Sequence, residues 1–248
     1  MSMTVLTREQ AASKIMVALD KPDAEAALAL AASLQGTGCW MKVGMELYYA
    51  AGPSVVRELK ARGFRVFLDV KMHDIPNTVR GGARSIAKLG VDLFNVHGAG
   101  GITMMRAAVE GVKEAVESGD AANSPIVIAV TQLTSTSQSV LNDQIGIAGT
   151  IEDAVVRYAR HAREAGLQGV VASPLEVAAI KAACGGDFLT VTPGIRPAGA
   201  ETGDQSRITT PRDAVAGGTD YLVIGRPITG ASNPAEALDN ILKEMTES

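Results

Sequence analysis

The sequence is poor in cysteine, and this shortage excludes two classes of protein. Among 248 residues there are only two cysteines, Cys39 and Cys184, and they lie far apart in the sequence. They match neither the disulfide framework of a small secreted protein nor the closely spaced ligands of a structural zinc site. We therefore expect both to be reduced residues of the core.

An excess of charge of one sign and long apolar runs are also missing. Lys and Arg number 23 and Asp and Glu number 27, a net charge of −4, which provides neither a basic face for nucleic acid nor a polybasic membrane anchor. No apolar stretch approaches the roughly 20 residues that a membrane-spanning helix needs. Residues 1–10 lack the basic and apolar segments of a signal peptide. We expect a cytoplasmic protein that binds neither nucleic acid nor membranes.

The sequence does contain a regular alternation of short apolar runs and Ala-rich amphipathic segments. Continuous apolar runs predict parallel strands that are covered on both faces, and the segments between them have the apolar spacing of helices. The runs are KIMVALD, CWMKVGM, FRVFLDV, DLFNVHG, PIVIAVT, GVVASP, FLTVTPG and YLVIGRP. Eight such units in about 250 residues predict a TIM (β/α)8 barrel, a single domain over 1–248 with an N-terminal extension at 1–12. A dinucleotide-binding sheet is disfavoured because no strand is followed by GxGxxG.

Charged residues stand at the ends of several apolar strands, where a TIM barrel has its active site. Asp20 ends the first predicted strand, Lys42 lies in the second, Asp69 and Lys71 lie in the third, and Asp74 follows in the next loop. Placing these charges at one apolar rim costs desolvation that only mutual pairing or a polar ligand can offset. They are therefore either salt bridges that cap the barrel or a site for an anionic, for example phosphorylated, substrate.

The ends of the last two predicted strands carry glycine and arginine. TPGIRP contains Gly194 and Arg196, and VIGRP contains Gly225 and Arg226. The loops after strands seven and eight form the recurrent phosphate site of this fold, where glycine lets backbone N–H groups approach and arginine binds two oxygens at once. We therefore predict a phosphate site here. The polar, Gly-rich stretch 194–209 is a candidate lid.

The three histidines do not predict a metal site. No Glu or second His stands at the spacing of the common zinc motifs from His73, His97 or His161. We interpret His161 as a surface or packing residue of a helix and His73 as structural. His97 ends the fourth strand and either lines the pocket or makes a structural hydrogen bond.

Seven segments, taken in order, resemble the bacterial type of the orotidine 5'-phosphate decarboxylase family. They are VALD, KVG, FLDVKMHDIPNT, NVHGAGG, VTQLTS, TPGIRP followed by GDQSR, and VIGRP. Only the first ten residues and the C-terminal tail fall outside this pattern, and the DxKxxDI core is highly specific in such company. The resemblance implies decarboxylation of orotidine 5'-monophosphate to UMP, the last step of de novo pyrimidine biosynthesis, by a homodimer without metal or organic cofactor.

The resemblance also implies roles for single residues. Lys71 would protonate the carbon that loses CO2, and Lys42 would join its charged network. Asp69 would either repel the substrate carboxylate or orient Lys71. The remaining expected contacts are Asp20 and Lys42 at the ribose, Thr134 at the pyrimidine, Pro193, then Arg196, Gln205, Gly225 and Arg226 around the phosphate, and Asp74, Ile75 and Thr78 in the partner subunit's site.

Two other functions are compatible with parts of the pattern. A metal-dependent sugar-phosphate enzyme of the same barrel group would share the DxKxxD core, although QLTS and Gln205 fit the nucleotide enzyme better. A catalytically silent sensor of a phosphorylated ligand would share the scaffold, although the intact set of charged residues argues against it. Loss of activity with a chelator would indicate the first, and absence of any turnover the second.

Overall fold

The protein folds as a closed barrel of parallel strands. The structure, a computed structural model, describes residues 6–197 and 209–247. Within these residues the strands are β1 (Ile15–Ala18), β2 (Trp40–Gly44), β3 (Val66–Met72), β4 (Leu93–His97), β5 (Ile126–Val130), β6 (Gly169–Val171), β7 (Leu189–Thr192) and β8 (Tyr221–Ile224). They pair in chain order, and β8 pairs with β1. The predicted TIM barrel is confirmed, and each predicted apolar run coincides with a strand, although β3 continues two residues past FRVFLDV.

Helices follow the strands along the chain. In the described ranges they are α1 (Arg8–Lys14), α2 (Ala24–Ser33), α3 (Met45–Ala51), α4 (Pro53–Ala61), α5 (Pro76–Ala87), α6 (Gly101–Glu117), α7 (Ile151–Glu164), α8 (Val177–Cys184), α9 (Pro211–Ala216), α10 (Arg226–Thr229) and α11 (Pro234–Thr246). Short 3₁₀ helices span Gly98–Gly100 and Pro174–Glu176, and a π-helical turn spans Val140–Gln144. No helix in the described part is long and apolar enough to cross a membrane. The cytoplasmic location stays a prediction.

Capping residues mark the helix starts. The Asp23 side chain accepts the N–H of Ala26 at 2.8 Å at the start of α2, and Thr150 and Asp153 form a reciprocal capping box at the start of α7. Proline occupies the first turn of α4, α5, α9 and α11, where its missing N–H would have no intrahelical partner. These local signals set where these helices begin.

The predicted N-terminal extension overlaps with α1. Ala11 and Ala12 are buried, and α1 packs against α11, with an ion pair of 2.7 Å between Arg8 and Asp239. This helix therefore holds the start of the described chain against its end. The assignment of 1–248 as a single domain with an extension at 1–12 stays a prediction.

Two apolar cores explain why the strands are apolar on both faces. One core lies between barrel and helices and includes Val17, Val43 and Leu68. The other fills the barrel and consists of Met16, Trp40, Phe67, Leu93, Ile128 and Val191. Because successive side chains of a strand point to opposite faces, strands β1 to β5 each contribute buried side chains to both cores.

Inward-facing positions change from apolar to polar along the strands. On three strands, an apolar residue of the barrel core is followed two positions later by a polar residue. These pairs are Trp40 and Lys42 on β2, Phe67 and Asp69 on β3, and Leu93 and Asn95 on β4. Residues two apart in a strand share a face. The apolar core of the barrel is therefore the floor on which a polar layer stands.

We predict that Gly111 is required for the close packing of α5 on α6. A methyl group at Gly111 would overlap with the carbonyl oxygen of Arg80, whereas one at Gly81 of α5 would meet nothing within 4 Å. Overpacking destabilises a folded protein by about 1–3 kcal/mol. Replacing glycine by alanine inside a helix stabilises it by only about 1 kcal/mol. Gly111→Ala should lower the urea midpoint of unfolding, and the matched control Gly81→Ala should keep or raise it. Equal midpoints for the two variants would contradict this account.

Candidate active site

A cavity of about 590 Å³ opens at the C-terminal ends of the strands. The structure brings eight of the predicted site residues to its wall: Asp20, Lys42, Asp69, Lys71, Pro193, Arg196, Gly225 and Arg226. Gly44, Met45, Glu46, Gly194, Ala18 and Val223 complete the lining. The cavity therefore joins the ends of β1, β2 and β3 to the ends of β7 and β8.

Four charged side chains form a row of alternating sign in this cavity, which we call the charged row: Asp20, Lys42, Asp69 and Lys71. Lys42 Nζ lies 3.1 Å from Asp20 Oδ1 and 3.6 Å from Asp69 Oδ2, and Lys71 Nζ lies 2.7 Å from Asp69 Oδ1. Lys42 is only 6% exposed, so the contacts with these two carboxylates compensate for the water that its side chain loses on burial. The Asp69 carboxylate is shared by both lysines.

The pKa of Asp69 reflects this position. Burial raises the pKa of its carboxyl, but the charges of Lys42 and Lys71 and the hydrogen bonds from Lys71 and Asn95 outweigh burial and leave it below the ordinary value. Asp69 is therefore ionised at neutral pH. Its negative charge is fixed beside the Lys71 ammonium.

Lys71 stands on an irregular part of β3. Between the pairs Leu68–Phe94 and Met72–Val96, β3 advances four residues while β4 advances two. Lys71 has φ of 51°, the single positive value among the described non-glycine residues. A left-handed backbone costs a lysine about 1–2 kcal/mol. Asp69 and Lys71 do meet, as their spacing predicted, but across a bulge rather than along an extended strand.

Asn95 was missed by sequence reasoning. It is fully buried on β4, its Oδ1 accepts the Lys71 backbone N–H at 2.7 Å, and its Nδ2 donates to Asp69 Oδ1 at 2.7 Å. The available signal was an amide in the middle of the apolar run DLFNVHG, two residues beyond inward-facing Leu93. A buried amide needs partners, so its position pointed to the charged row.

The far end of the cavity carries the two arginines predicted for phosphate. Arg196 is 8% exposed and its Nη1 donates to the carbonyl of Ile195 at 2.9 Å. Arg226 begins α10 directly after Gly225, the residue beside Ala18. Gly194 has φ of 79°, a conformation that glycine adopts without strain. Both guanidinium groups thus belong to the same cavity as the charged row.

The described ends of the predicted lid pair with each other at the cavity rim. Ile195 and Thr209 form a parallel bridge, in which the N–H of Arg196 donates to Thr209 at 3.0 Å and the N–H of Thr209 donates to Gly194 at 3.3 Å. Gln205 and the rest of 198–208 lie outside the described residues. The assignment of 194–209 as a lid stays a prediction.

Four of the predicted site residues are not in the cavity wall. Asp74, Ile75 and Thr78 belong to an exposed stretch, and Ile75 is 67% exposed. Asp74 Oδ1 accepts the N–H of Ile75 at 2.6 Å. Thr134 is half-buried in the loop after β5. These positions do not join the charged row within one chain.

Two histidines stack beside the site. The rings of His73 and His97 lie 5.5 Å apart at 14°, and His97 Nδ1 accepts the N–H of Ala99 at 3.2 Å. Burial lowers the pKa of His97, and His73 and Lys71 lower it further. His161 lies in α7, as predicted. In the part of the chain that is described, no three His, Cys, Asp or Glu side chains are grouped so as to hold a metal ion.

Comparison with known proteins identifies the family. The model of the Orotidine 5'-phosphate decarboxylase / HUMPS family matches residues 13–241. The chain belongs to this family. A curated member, orotidine 5'-phosphate decarboxylase of Moorella thermoacetica, is 49% identical over 245 residues, which are 99% of this chain and 97% of that protein. The decarboxylase of Bacillus mycoides is 47% identical over 230 residues, 93% of this chain and 96% of that protein.

Solved structures of similar proteins have the same fold. Orotidine 5'-phosphate decarboxylase from Lactobacillus acidophilus has a TM-score of 0.83 at 40% identity, covering 94% of this chain and 99% of that one. An uncharacterized conserved protein from Geobacillus kaustophilus has a TM-score of 0.82 at 43% identity, covering 93% and 99%. The whole barrel, and not one part of it, therefore agrees with the decarboxylase family.

We expect the charge of Asp69 to make the stability of the fold depend on pH. Because its pKa is lowered in the folded protein, the carboxylate stabilises the fold above its unfolded-state pKa of about 3.9, and this contribution is lost as the pH falls through the lower folded value. In Asp69→Asn it is absent at every pH. The wild-type urea midpoint should exceed that of the variant by a constant amount from pH 7 to about 5, and the difference should shrink below about pH 4.

The control for this measurement is Asp187→Asn, which removes one charge from a side chain that is 86% exposed. If the urea midpoints of wild type and Asp69→Asn differed by the same amount at every pH, the two lysines would not stabilise the Asp69 carboxylate as the distances indicate.

Proposed function

We propose that this protein removes CO2 from orotidine 5'-monophosphate to give UMP, the last step of de novo pyrimidine biosynthesis, without a metal or organic cofactor. The observation that carries the proposal is the charged row at the end of an apolar barrel, in one cavity with Arg196 and Arg226. Family membership and the curated relatives support the same reaction.

The chemistry requires a fixed positive charge at the reacting carbon. When the bond to the carboxylate breaks, CO2 leaves without the bonding electrons, which stay on C6 of the pyrimidine in an orbital that the ring cannot delocalise readily. The Lys71 ammonium, held 2.7 Å from Asp69 Oδ1, supplies positive charge there and then donates a proton to C6. Lys71 is therefore the proton donor of the reaction.

Asp69 orients this ammonium group. Its Oδ1 accepts hydrogen bonds from Lys71 and Asn95, and its Oδ2 faces Lys42. These contacts support orientation of Lys71 rather than repulsion of the substrate carboxylate. Such preorganisation reduces the reorganisation that is needed as charge develops.

Binding of the rest of the nucleotide occupies the remainder of the cavity. Asp20 and Lys42 bind the ribose hydroxyls, Thr134 contacts the pyrimidine, and Pro193, Arg196, Gln205, Gly225 and Arg226 surround the phosphate end. Arginine suits this role because its planar guanidinium binds two phosphate oxygens. Binding energy from this nonreacting group can be used to organise the charged row.

The active protein is a homodimer in which Asp74, Ile75 and Thr78 serve the partner's site. Ile75 is a large apolar side chain at 67% exposure, and Asp74 is exposed beside it, directly after the strand that carries Lys71. Contact with a second copy would remove the Ile75 side chain from water. A second copy would bring a carboxylate to each Lys71.

We predict that purified protein consumes orotidine 5'-monophosphate, followed by its absorbance, at an undiminished rate in excess chelator. Lys71→Ala should lose turnover but keep UMP binding, measured by calorimetry, because the arginines and Asp20 remain. The fold, measured by circular dichroism, should also be unchanged. A rate that collapses with chelator and returns with Mg²⁺ would favour the metal-dependent sugar-phosphate enzyme. Turnover by Lys71→Ala near the wild-type rate would exclude its role as proton donor.

We also predict that two inactive variants restore activity when they share a dimer. In a heterodimer of Lys71→Ala and Asp74→Ala, one site lacks both groups and the other has both. The purified heterodimer should therefore show about half of the wild-type turnover per subunit. Co-refolding the two proteins with different tags and measuring turnover of the doubly purified species tests this. No recovery in a verified heterodimer would place Asp74 outside the partner's site.

A further inference from the structure

Asn95 connects the two residues that the proposed reaction depends on. Its side chain is fully buried, and single 2.7 Å hydrogen bonds join it to the Lys71 backbone N–H and to Asp69 Oδ1. We propose that Asn95 is a positioning residue for the decarboxylation. Its side chain fixes the position of the Lys71 ammonium relative to the Asp69 carboxylate. This inference rests on the proposed function.

The first step of the argument concerns the backbone of Lys71. In the bulge of β3, residues between Leu68 and Met72 lose their regular pairing with β4. A buried N–H that leaves a sheet ladder needs another acceptor. Asn95 Oδ1 is that acceptor for Lys71, whose φ of 51° is unfavourable for a lysine. The Asn95 side chain on β4 therefore stabilises the bulge in the conformation that directs Lys71 into the cavity.

The second step concerns the carboxylate. Asp69 Oδ1 accepts from Lys71 Nζ and from Asn95 Nδ2, both at 2.7 Å. Oδ2 is left facing Lys42 Nζ at 3.6 Å. The amide thereby determines which oxygen faces which lysine.

The third step concerns the chemistry of the amide itself. The position requires an acceptor toward an N–H and a donor toward a carboxylate, and both must come from one short side chain. Asparagine carries both groups, aspartate would carry only the acceptor, and alanine would carry neither. The two losses can therefore be separated by mutation.

The experiment compares Asn95→Ala and Asn95→Asp with the control Val96→Ala. Val96 is buried in the same strand but faces the core between barrel and helices. Steady-state kinetics with orotidine 5'-monophosphate, UMP affinity by calorimetry and crystal structures are determined for each. Val96→Ala should change stability and leave kcat unchanged.

For Asn95→Ala we expect kcat to fall by roughly 100-fold, as for a displacement of about 1 Å at a reacting group. UMP affinity should be unchanged because the phosphate end is intact. In the crystal structure Lys71 should leave the left-handed region. A kcat within about twofold of wild type, with Lys71 unmoved, would overturn the inference, since roughly 100-fold is the expected loss.

For Asn95→Asp, which has the same shape and keeps the acceptor, we expect Lys71 to keep its backbone conformation. The acid limb of the kcat profile should move to higher pH, because a lost hydrogen bond and a new neighbouring carboxylate both favour protonated Asp69. A pH profile that coincides with that of wild type overturns the inference. This variant also decides the question if Asn95→Ala does not fold.

The two levels of the proposal fail in different ways. If the wild-type protein shows no turnover, the proposed function is wrong, and the crystal structures still test whether Asn95 holds Lys71. If the wild type is active and both Asn95 variants retain its kcat and pH profile, only the positioning role is wrong.

Discussion

The ion pairs on both sides of Asp69 determine how the rest of the site is built. Lys42 is almost completely buried, and Asp69 lies above the apolar core of the barrel, so neither charge would be stable there alone. Removing one partner of a buried pair typically costs about 3–5 kcal/mol, because the other charge is left without compensation. The two carboxylates and two ammonium groups of the charged row alternate, so its net charge is close to zero. The Lys71 ammonium can therefore be held at the apolar rim of the barrel.

The closed barrel supplies the rigidity that this row needs. Lys42 of β2 is paired with Ala18 of β1, and the pairing of β2 with β3 reaches Asp69, so Lys42 and Asp69 have fixed heights relative to one another. Trp40, Phe67 and Leu93 pack below the polar layer and exclude water from beneath it. Electrostatic stabilisation is strongest where the surroundings have low polarity and the charged groups are held in fixed positions. The apolar core under the charged row and the fixed partners within the row provide these conditions.

Much of this arrangement could be predicted from the sequence, for physical reasons that differ between residues. Parallel strands buried on both faces give continuous apolar runs, so the barrel could be predicted from the sequence. The charged residues at the ends of these runs led to the prediction of Asp69, Lys71 and Lys42 as site residues. The bulge was not readable, because no residue type in VFLDVKM marks a left-handed backbone. The amide of Asn95 in an apolar run was visible, but its contact with Lys71 was not, since that backbone N–H is released only by the bulge. Asp74 and Ile75 lie on the exposed surface, outside the cavity wall.

The irregularity of β3 also limits how this chemistry could be transferred to another protein. An Asp-x-Lys pair grafted onto a regular strand of a designed barrel would have the right residues but not the right geometry, because the lysine would follow the normal pleat. A designer would have to build the two-residue excess of β3 over β4 and an amide on the neighbouring strand at the same time. The transferable unit is thus a pair of strands, and searches for such sites should compare the register of neighbouring strands as well as the spacing of a motif.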